Sequence, residues 1–224
     1  MATKIFSASP VISASATRTP LLPKALASRL LGTSLAAALA LSMSPALPAA
    51  AEGYKLYYGT AASAANYGGY GGNSDRKASA EYVYDVPEGW KERLVSKVEK
   101  GTNGTDSEFY NPKKRTEKEY LTFLSGFRQL APREIILNNL ALSDVGLQDL
   151  IAGADKVVSE ERKDETGQVY YLYEIDGVGQ HSLITVTCAK NKLYAHFVNA
   201  PTLEWNRDHD TLTHLRDSFK TVSS

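Results

Sequence analysis

Four histidines, a single cysteine and a few clustered carboxylates are the residues of this 224-residue chain best suited to chemistry. His209 stands between Asp208 and Asp210, and one imidazole with two carboxylates can contribute to a weak divalent-cation site. The same two acids also fit a helix start, where they oppose the positive end of the helix dipole. His209 and His214 are five residues apart, about 140° around a helix, so one face cannot present both to one ion. His214 falls opposite the apolar stripe of that helix and reads as exposed. His181 and His196 belong to neighbouring strands, and whether they meet depends on register. Cys188 cannot form an internal disulfide and reads as a buried small hydrophobe before it reads as a reactive thiol. The chain contains no metal-ligand spacing, phosphate loop, nucleophile elbow or dinucleotide fingerprint, and it does not read as an enzyme.

The elements that must position these residues are organised about Gln180–Ala200, QHSLITVTCAKNKLYAHFVNA. Two β-branched and aromatic runs, His181–Ala189 and Lys192–Asn199, meet at Lys190–Asn191, where Asn tolerates the positive φ of a tight turn. Neither run alternates cleanly between apolar and polar, which predicts a hairpin covered on both faces, near the middle of a sheet. Tyr82–Val86 reads as a strand stopped by Pro87, with Trp90 just beyond it as a buried anchor. Glu108–Asn111 and Glu119–Phe127 read as strands around a loop, Pro112–Lys118, and Val157–Lys163 pairs with Gln168–Ile175 about a turn ending in Gly167. Ser143 can cap a helix whose Leu147, Leu150, Ile151 and Ala154 form one stripe. Asn206 can cap a last helix carrying Leu212, Leu215, Phe219 and Val222 on the face that Trp205 joins. Hairpins outnumber crossovers, so the fold class is α+β, an antiparallel sheet covered by helices on both faces.

Residues 1–51 contain no Asp or Glu and only four basic residues, Lys4, Arg18, Lys24 and Arg29, in a background of Ala, Ser, Thr, Leu and Pro. Within them Leu30–Leu41 is an apolar run too short to span a bilayer, followed by Ala49–Ala51, a peptidase-type cleavage site. A Ser/Thr-rich basic stretch precedes the apolar run, so the leader reads as bipartite and resembles the type that addresses proteins to the chloroplast thylakoid lumen, by a Sec-like route. The mature chain then begins at Glu52. Without the leader the balance is 21 basic to 25 acidic residues, a net charge near −4, and no nucleic-acid footprint remains.

Residues 52–80 have the Gly, Ala, Ser and Asn composition of a flexible arm with isolated tyrosines, and 81–224 form the folded domain. Two exposed features suit a partner: Tyr67 and Tyr70 in the arm, which can order on contact, and the basic run Lys113, Lys114 and Arg115 in its loop, which can meet an acidic surface.

Four motifs in order resemble the PsbP-domain family of the thylakoid lumen: Val86-Pro87-Glu88-Gly89-Trp90 after the first strand; Gly167-Gln168-Val169-Tyr170-Tyr171; His181-Ser182-Leu183-Ile184-Thr185 with Lys192-Leu193-Tyr194; and the Trp205-led terminal helix reaching Ser218-Phe219. The resemblance covers nearly all of the mature part. It implies an α/β/α sandwich of PsbP/Mog1-like type and a peripheral, non-spanning association with a photosynthetic membrane complex, photosystem II first and photosystem I or a related complex second. In the family's best-known member it also implies support of calcium and chloride retention by the oxygen-evolving centre. Two departures set this chain apart from that subunit. The adjacent histidine pair is His181–Ser182 here, with Thr202 where the acidic partner is expected. In the arm, Tyr67-Gly68-Gly69 follows Ala64-Ala65-Asn66 in place of V-F-G. The expectation is therefore a non-catalytic auxiliary or assembly protein, with calcium association implied by the family alone. A true oxygen-evolving subunit, or an unrecognised enzyme or metal carrier, is the alternative.

Overall fold

The computed structural model describes residues 53–62 and 77–222. The leader, Tyr67 and Tyr70 lie outside the described residues. In chain order the elements are β1 (Tyr54–Gly59), β2 (Tyr82–Pro87), β3 (Lys91–Glu92), α1 (Lys97–Thr102), β4 (Thr105–Asn111), β5 (Lys114–Ser125), α2 (Arg133–Ser143), α3 (Val145–Ala152), β6 (Ala154–Lys163), β7 (Val169–Gly177), β8 (Gln180–Ala189), β9 (Lys192–Pro201), α4 (Thr202–Ser218) and β10 (Lys220–Thr221).

The β8–β9 hairpin is central, as its two-sided apolar character predicts. The large sheet runs β3-β4-β5-β9-β8-β7-β6 with antiparallel neighbours throughout, and β9 is the middle strand of seven. Lys190 and Asn191 both take positive φ, 49° and 60°, so the two-residue turn matches the right-handed twist of its strands. One face of the hairpin, Ile184, Val186, Ala195 and Phe197, packs with Ile136, Leu137 and Leu140 of α2 and Leu147 of α3. The other face is covered in two parts. Leu183, Val198 and Ala200 meet Trp205, Leu212 and Leu215 of α4, while Tyr194 joins Tyr82, Tyr84 and Phe219 in an aromatic cluster.

That cluster belongs to a second sheet. β1, β2 and β10 form a three-stranded antiparallel sheet with β2 in the middle. The segment read as a flexible arm therefore starts as a strand: Tyr54 to Gly59 pairs in register with Pro87 to Tyr82. Tyr57 packs 5.2 Å from Tyr84 and 5.0 Å from Phe109, ring centre to ring centre. Burial of these rings supplies what the Gly/Ala-rich composition around them lacks, and Tyr54–Gly59 is part of the fold together with the residues from Glu81 onward. The Gly/Tyr stretch is thus a connection between β1 and β2.

Other boundaries move for local reasons. The β4–β5 turn is Pro112–Lys113, tightened by the Asn111 side chain accepting from Lys113 N at 3.0 Å, so Lys114 and Arg115 are strand residues rather than loop tip. Asp144, not Ser143, caps α3 by accepting from Leu147 N, and Gly153 ends it as expected. The last helix starts at Thr202 behind Pro201, so Asn206 is internal, and Asp208 is non-helical (φ −117°, ψ 20°) at a kink. Trp90 is half-buried between the aromatic cluster and the α4 cluster, less enclosed than an anchor should be.

Candidate functional site

The kink in α4 and the β4–β5 turn lie side by side. Between them is a cleft of about 390 Å³ lined by Asn111, Lys113, Lys114, Glu204, Arg207 and Asp208. Two separately predicted groups meet here, since Lys113 and Lys114 of the basic run and Asp208 of the carboxylate group share one surface. Arg115 turns away and stacks its guanidinium over Tyr110 at 5.3 Å.

Glu204 and Asp208 are the acidic residues of the lining, and Glu117 stands beside Asn111 and Arg207. Glu117 leaves β5 on the same face as Glu119 and is 2% exposed, with its carboxylate accepting from Asn111 Nδ2 at 2.6 Å and standing 3.8 Å from Arg207 Nη2. Burial pushes its pKa up, and the Asn111 hydrogen bond opposes that shift. Glu204 Oε1 lies 3.8 Å from Lys114 Nζ. Arg207 donates to Asp208. The lining therefore mixes three cations with two carboxylates and presents both donors and acceptors. Asn111, Glu117, Glu204 and Arg207 were not singled out from sequence. The one available signal was helical spacing, since Glu204, Arg207 and Asp208 are three and four apart.

Asp208, His209 and Asp210 do not converge. Asp208 is engaged by Arg207, Asp210 is fully exposed, and His209 sits edge-on to Trp205 with ring centres 4.9 Å apart. Among the described residues no three His, Cys, Asp or Glu side chains close in on one point.

The other histidines each acquire a carboxylate. His181 stands opposite Ala200 and His196 opposite Thr185, so the two do not meet. His181 stacks on Trp205 with centroids 4.8 Å apart, Nε2 lies 3.1 Å from Thr202 Oγ1, and Nδ1 is 2.7 Å from Asp176 Oδ1. A His–carboxylate pair thus exists at this position with a different acid. Asp176 is brought opposite His181 by the tight Val178–Gly179 turn, in which Gly179 takes a φ of +82°. His214, expected to be exposed, is 37% exposed, bonds Asp85 at 2.9 Å and packs on Tyr54 at 4.3 Å. His196 is fully buried beside Glu119. Cys188 is half-buried, its thiol donating to Phe127 O at 3.2 Å, and burial raises its pKa.

A scan of family models matches PsbP over residues 74–221, which spans β2 through β10, and the chain belongs to the PsbP family. Within it, the chain is 87% identical, over the whole of both chains, to the thylakoid lumenal 19 kDa protein of the Arabidopsis thaliana chloroplast. It is 27% identical to the Arabidopsis chloroplast PsbP domain-containing protein 4, over 63% of this chain and 56% of that one. Among solved structures it is similar to the solution structure of cyanobacterial PsbP (CyanoP) from Synechocystis sp. PCC 6803. That match has a TM-score of 0.52 and 18% identity, and it covers 81% of this chain and 99% of the other. The structural match supports the α+β PsbP-like fold. The full-length identity places the protein in the chloroplast thylakoid lumen, as a PsbP-domain relative and not the oxygen-evolving subunit itself. No helix among the described residues is long and apolar enough to cross a membrane.

Proposed function

We propose that this protein is a non-catalytic, extrinsic subunit that docks from the lumenal side on a photosynthetic membrane complex, as an auxiliary or assembly component. The observation that carries this reading is PsbP-family membership together with 87% full-length identity to a lumenal chloroplast protein. The architecture supports it. The buried apolar residues of α2, α3 and α4 are spent on the large sheet, which leaves the exposed turns and helix surfaces free to recognise a partner. Lys113, Lys114 and Arg115 supply an exposed basic surface, and Tyr67 and Tyr70 add aromatic contact from the β1–β2 connection. Photosystem II is the complex the family favours.

The test is co-migration of the mature protein with detergent-solubilised thylakoid complexes on a native gel. A band shared with one complex, lost when that complex is absent from a mutant membrane, is the expected result. Migration only as a free protein of its own size, in membranes where every complex is intact, would overturn the reading.

A further inference from the structure

Two aliphatic side chains protrude at one end of the large sheet. Val178 occupies the β7–β8 turn and is 84% exposed, and Leu203, in the first turn of α4, is 76% exposed. They lie close together, because Thr202 N donates to Gly179 O at 3.3 Å and Gln180 pairs with Pro201. Neither is required by its own element. The turn takes positive φ only at Gly179, and α4 buries Glu204, Trp205, Leu212 and Leu215 but not Leu203.

The free charge at this end is basic. The β4–β5 turn is joined to the start of α4 through Lys114 Nζ and Glu204 Oε1, 3.8 Å apart, and Lys113 and Lys114 are both exposed. The neighbouring acids are taken up: Glu117 and Glu204 are buried, Asp208 accepts from Arg207, and Asp176 meets His181. A mature chain with a net charge near −4 thus sets two lysines beside two aliphatic tips.

The shape and the charge together select the occupant. The cleft at this end is lined wholly by polar and charged residues, so it offers no apolar seat, and Val178 and Leu203 stand outward from a turn and a helix start. A protein partner would have to bring a separate pocket to each tip, whereas lipid conforms to a convex apolar surface. Anionic head groups answer the two ammonium groups, and the alkyl stems of the lysines can lie along the acyl boundary.

We propose that the end formed by the β7–β8 turn, the start of α4 and the β4–β5 turn rests on an anionic lipid bilayer. Val178 and Leu203 enter the boundary between head groups and acyl chains, and Lys113 and Lys114 meet the head groups. This contact goes beyond docking on a membrane complex and does not require one.

Co-sedimentation of the mature protein with lipid vesicles tests the contact. Vesicles of phosphatidylcholine with about one-third phosphatidylglycerol should bind it, and pure phosphatidylcholine vesicles about ten-fold less, a gap that closes above about 0.3 M salt. Val178→Asn with Leu203→Gln should lower binding to the anionic vesicles about ten-fold at an unchanged melting temperature, and Lys113→Gln about five-fold. Val98→Asn is the control and should bind as wild type. Val98 is 75% exposed in α1, which precedes the Thr105 end of β4, whereas Lys113 follows the Asn111 end, about 20 Å away. Absence of binding to the anionic vesicles overturns the proposal, as does a Val178→Asn, Leu203→Gln variant that binds as well as wild type, or an equal loss in Val98→Asn. A band shared with a complex on the native gel, from a protein that ignores vesicles, overturns the lipid contact alone. Binding to vesicles without any shared band overturns the docking function and leaves the lipid contact standing.

Discussion

His196 Nε2 lies 3.4 Å from Glu119 Oε2 in the interior of the fold, and both side chains are wholly buried. Tyr84 and Phe219 pack their rings on the imidazole at 4.6 and 5.4 Å. Apart from each other, the imidazole nitrogens and carboxyl oxygens have no partner among the described residues. Burial holds His196 far below the ordinary imidazole value, at about 3, and pushes Glu119 well above the carboxylate range, with Asp85 adding to the rise. Both shifts favour the uncharged forms, a neutral imidazole beside a protonated carboxyl.

The first prediction is the pH profile this pair imposes. On unfolding, His196 gains a proton below the ordinary imidazole value of 6.5, so its contribution to stability falls as pH drops from 6.5 toward 3. Glu119 loses a proton on unfolding above the ordinary carboxyl value of 4.5, so its contribution falls as pH rises above 4.5 toward its raised folded value. The His196 slope, about 1.4 kcal/mol per pH unit, gives an acid limb below 4.5, and above 4.5 the Glu119 slope, of like size and opposite sign, works against it as the alkaline limb. Glu119→Gln should remove the alkaline limb and keep the acid one. Urea midpoints measured from pH 3.5 to 8.5 decide it, and an alkaline limb of equal slope in the variant would refute the assignment.

The second prediction contrasts the two tryptophans. Trp205 is 8% exposed and stacked on His181, so Trp205→Ala should cost about 3–5 kcal/mol. Trp90 is only half-buried, and Trp90→Ala should cost about 2 kcal/mol. Equal costs in denaturant melts would contradict the burial difference. A Trp90 cost under about 1 kcal/mol would move that ring to a docking surface.

The third prediction separates strand from connection. Removing Glu52–Gly59 deletes β1 and exposes Tyr84 and Phe109, so it should lower stability by several kcal/mol; Tyr57→Ala alone should cost about 2 kcal/mol. Replacing residues 63–76, including Tyr67 and Tyr70, by a short Gly/Ser linker should leave the melt unchanged and abolish association with thylakoid complexes. Unimpaired co-migration of the shortened protein would show that the connection plays no part in binding.

The fourth prediction concerns Lys113, Lys114 and Arg115. Their side chains are largely in solvent, and a basic surface mainly speeds encounter. Replacing all three by Gln should slow association about two- to five-fold at low ionic strength and have little effect above about 0.3 M salt, where screening has removed the attraction. A defect that persists at high salt would point to close contacts instead of steering.

Legibility followed the range of the interactions. The β8–β9 hairpin could be read because its apolar runs and its turn residues are local. So could the stripe of α3 and the Gly167 turn, whose φ is +84°. α2 was missed, because Ile136, Leu137 and Leu140 are interleaved with Asn138 and Asn139 and the stripe is thin. β1 was missed because its stability comes from Tyr57 meeting Tyr84 and Phe109, far along the chain. The fate of every histidine depended on register. Glu119 reaches His196 only because β5 and β9 pair Glu119 with Val198 and Leu121 with His196. The cleft was illegible for the same reason, since it needs the kink at Asp208 and the turn at Lys113 to fall together.

Both borders of the large sheet are blunted, and by different means. β3 ends one border after two residues, too short to template another chain. β6 ends the other with ten residues, six of them charged: Asp155, Lys156, Glu160, Glu161, Arg162 and Lys163. A strand arriving from a second molecule would have to lay its own side chains against that row, so the sheet resists growing by addition at this border. Strand addition at either border of the large sheet is thereby disfavoured, which turns a partner away from these two edges.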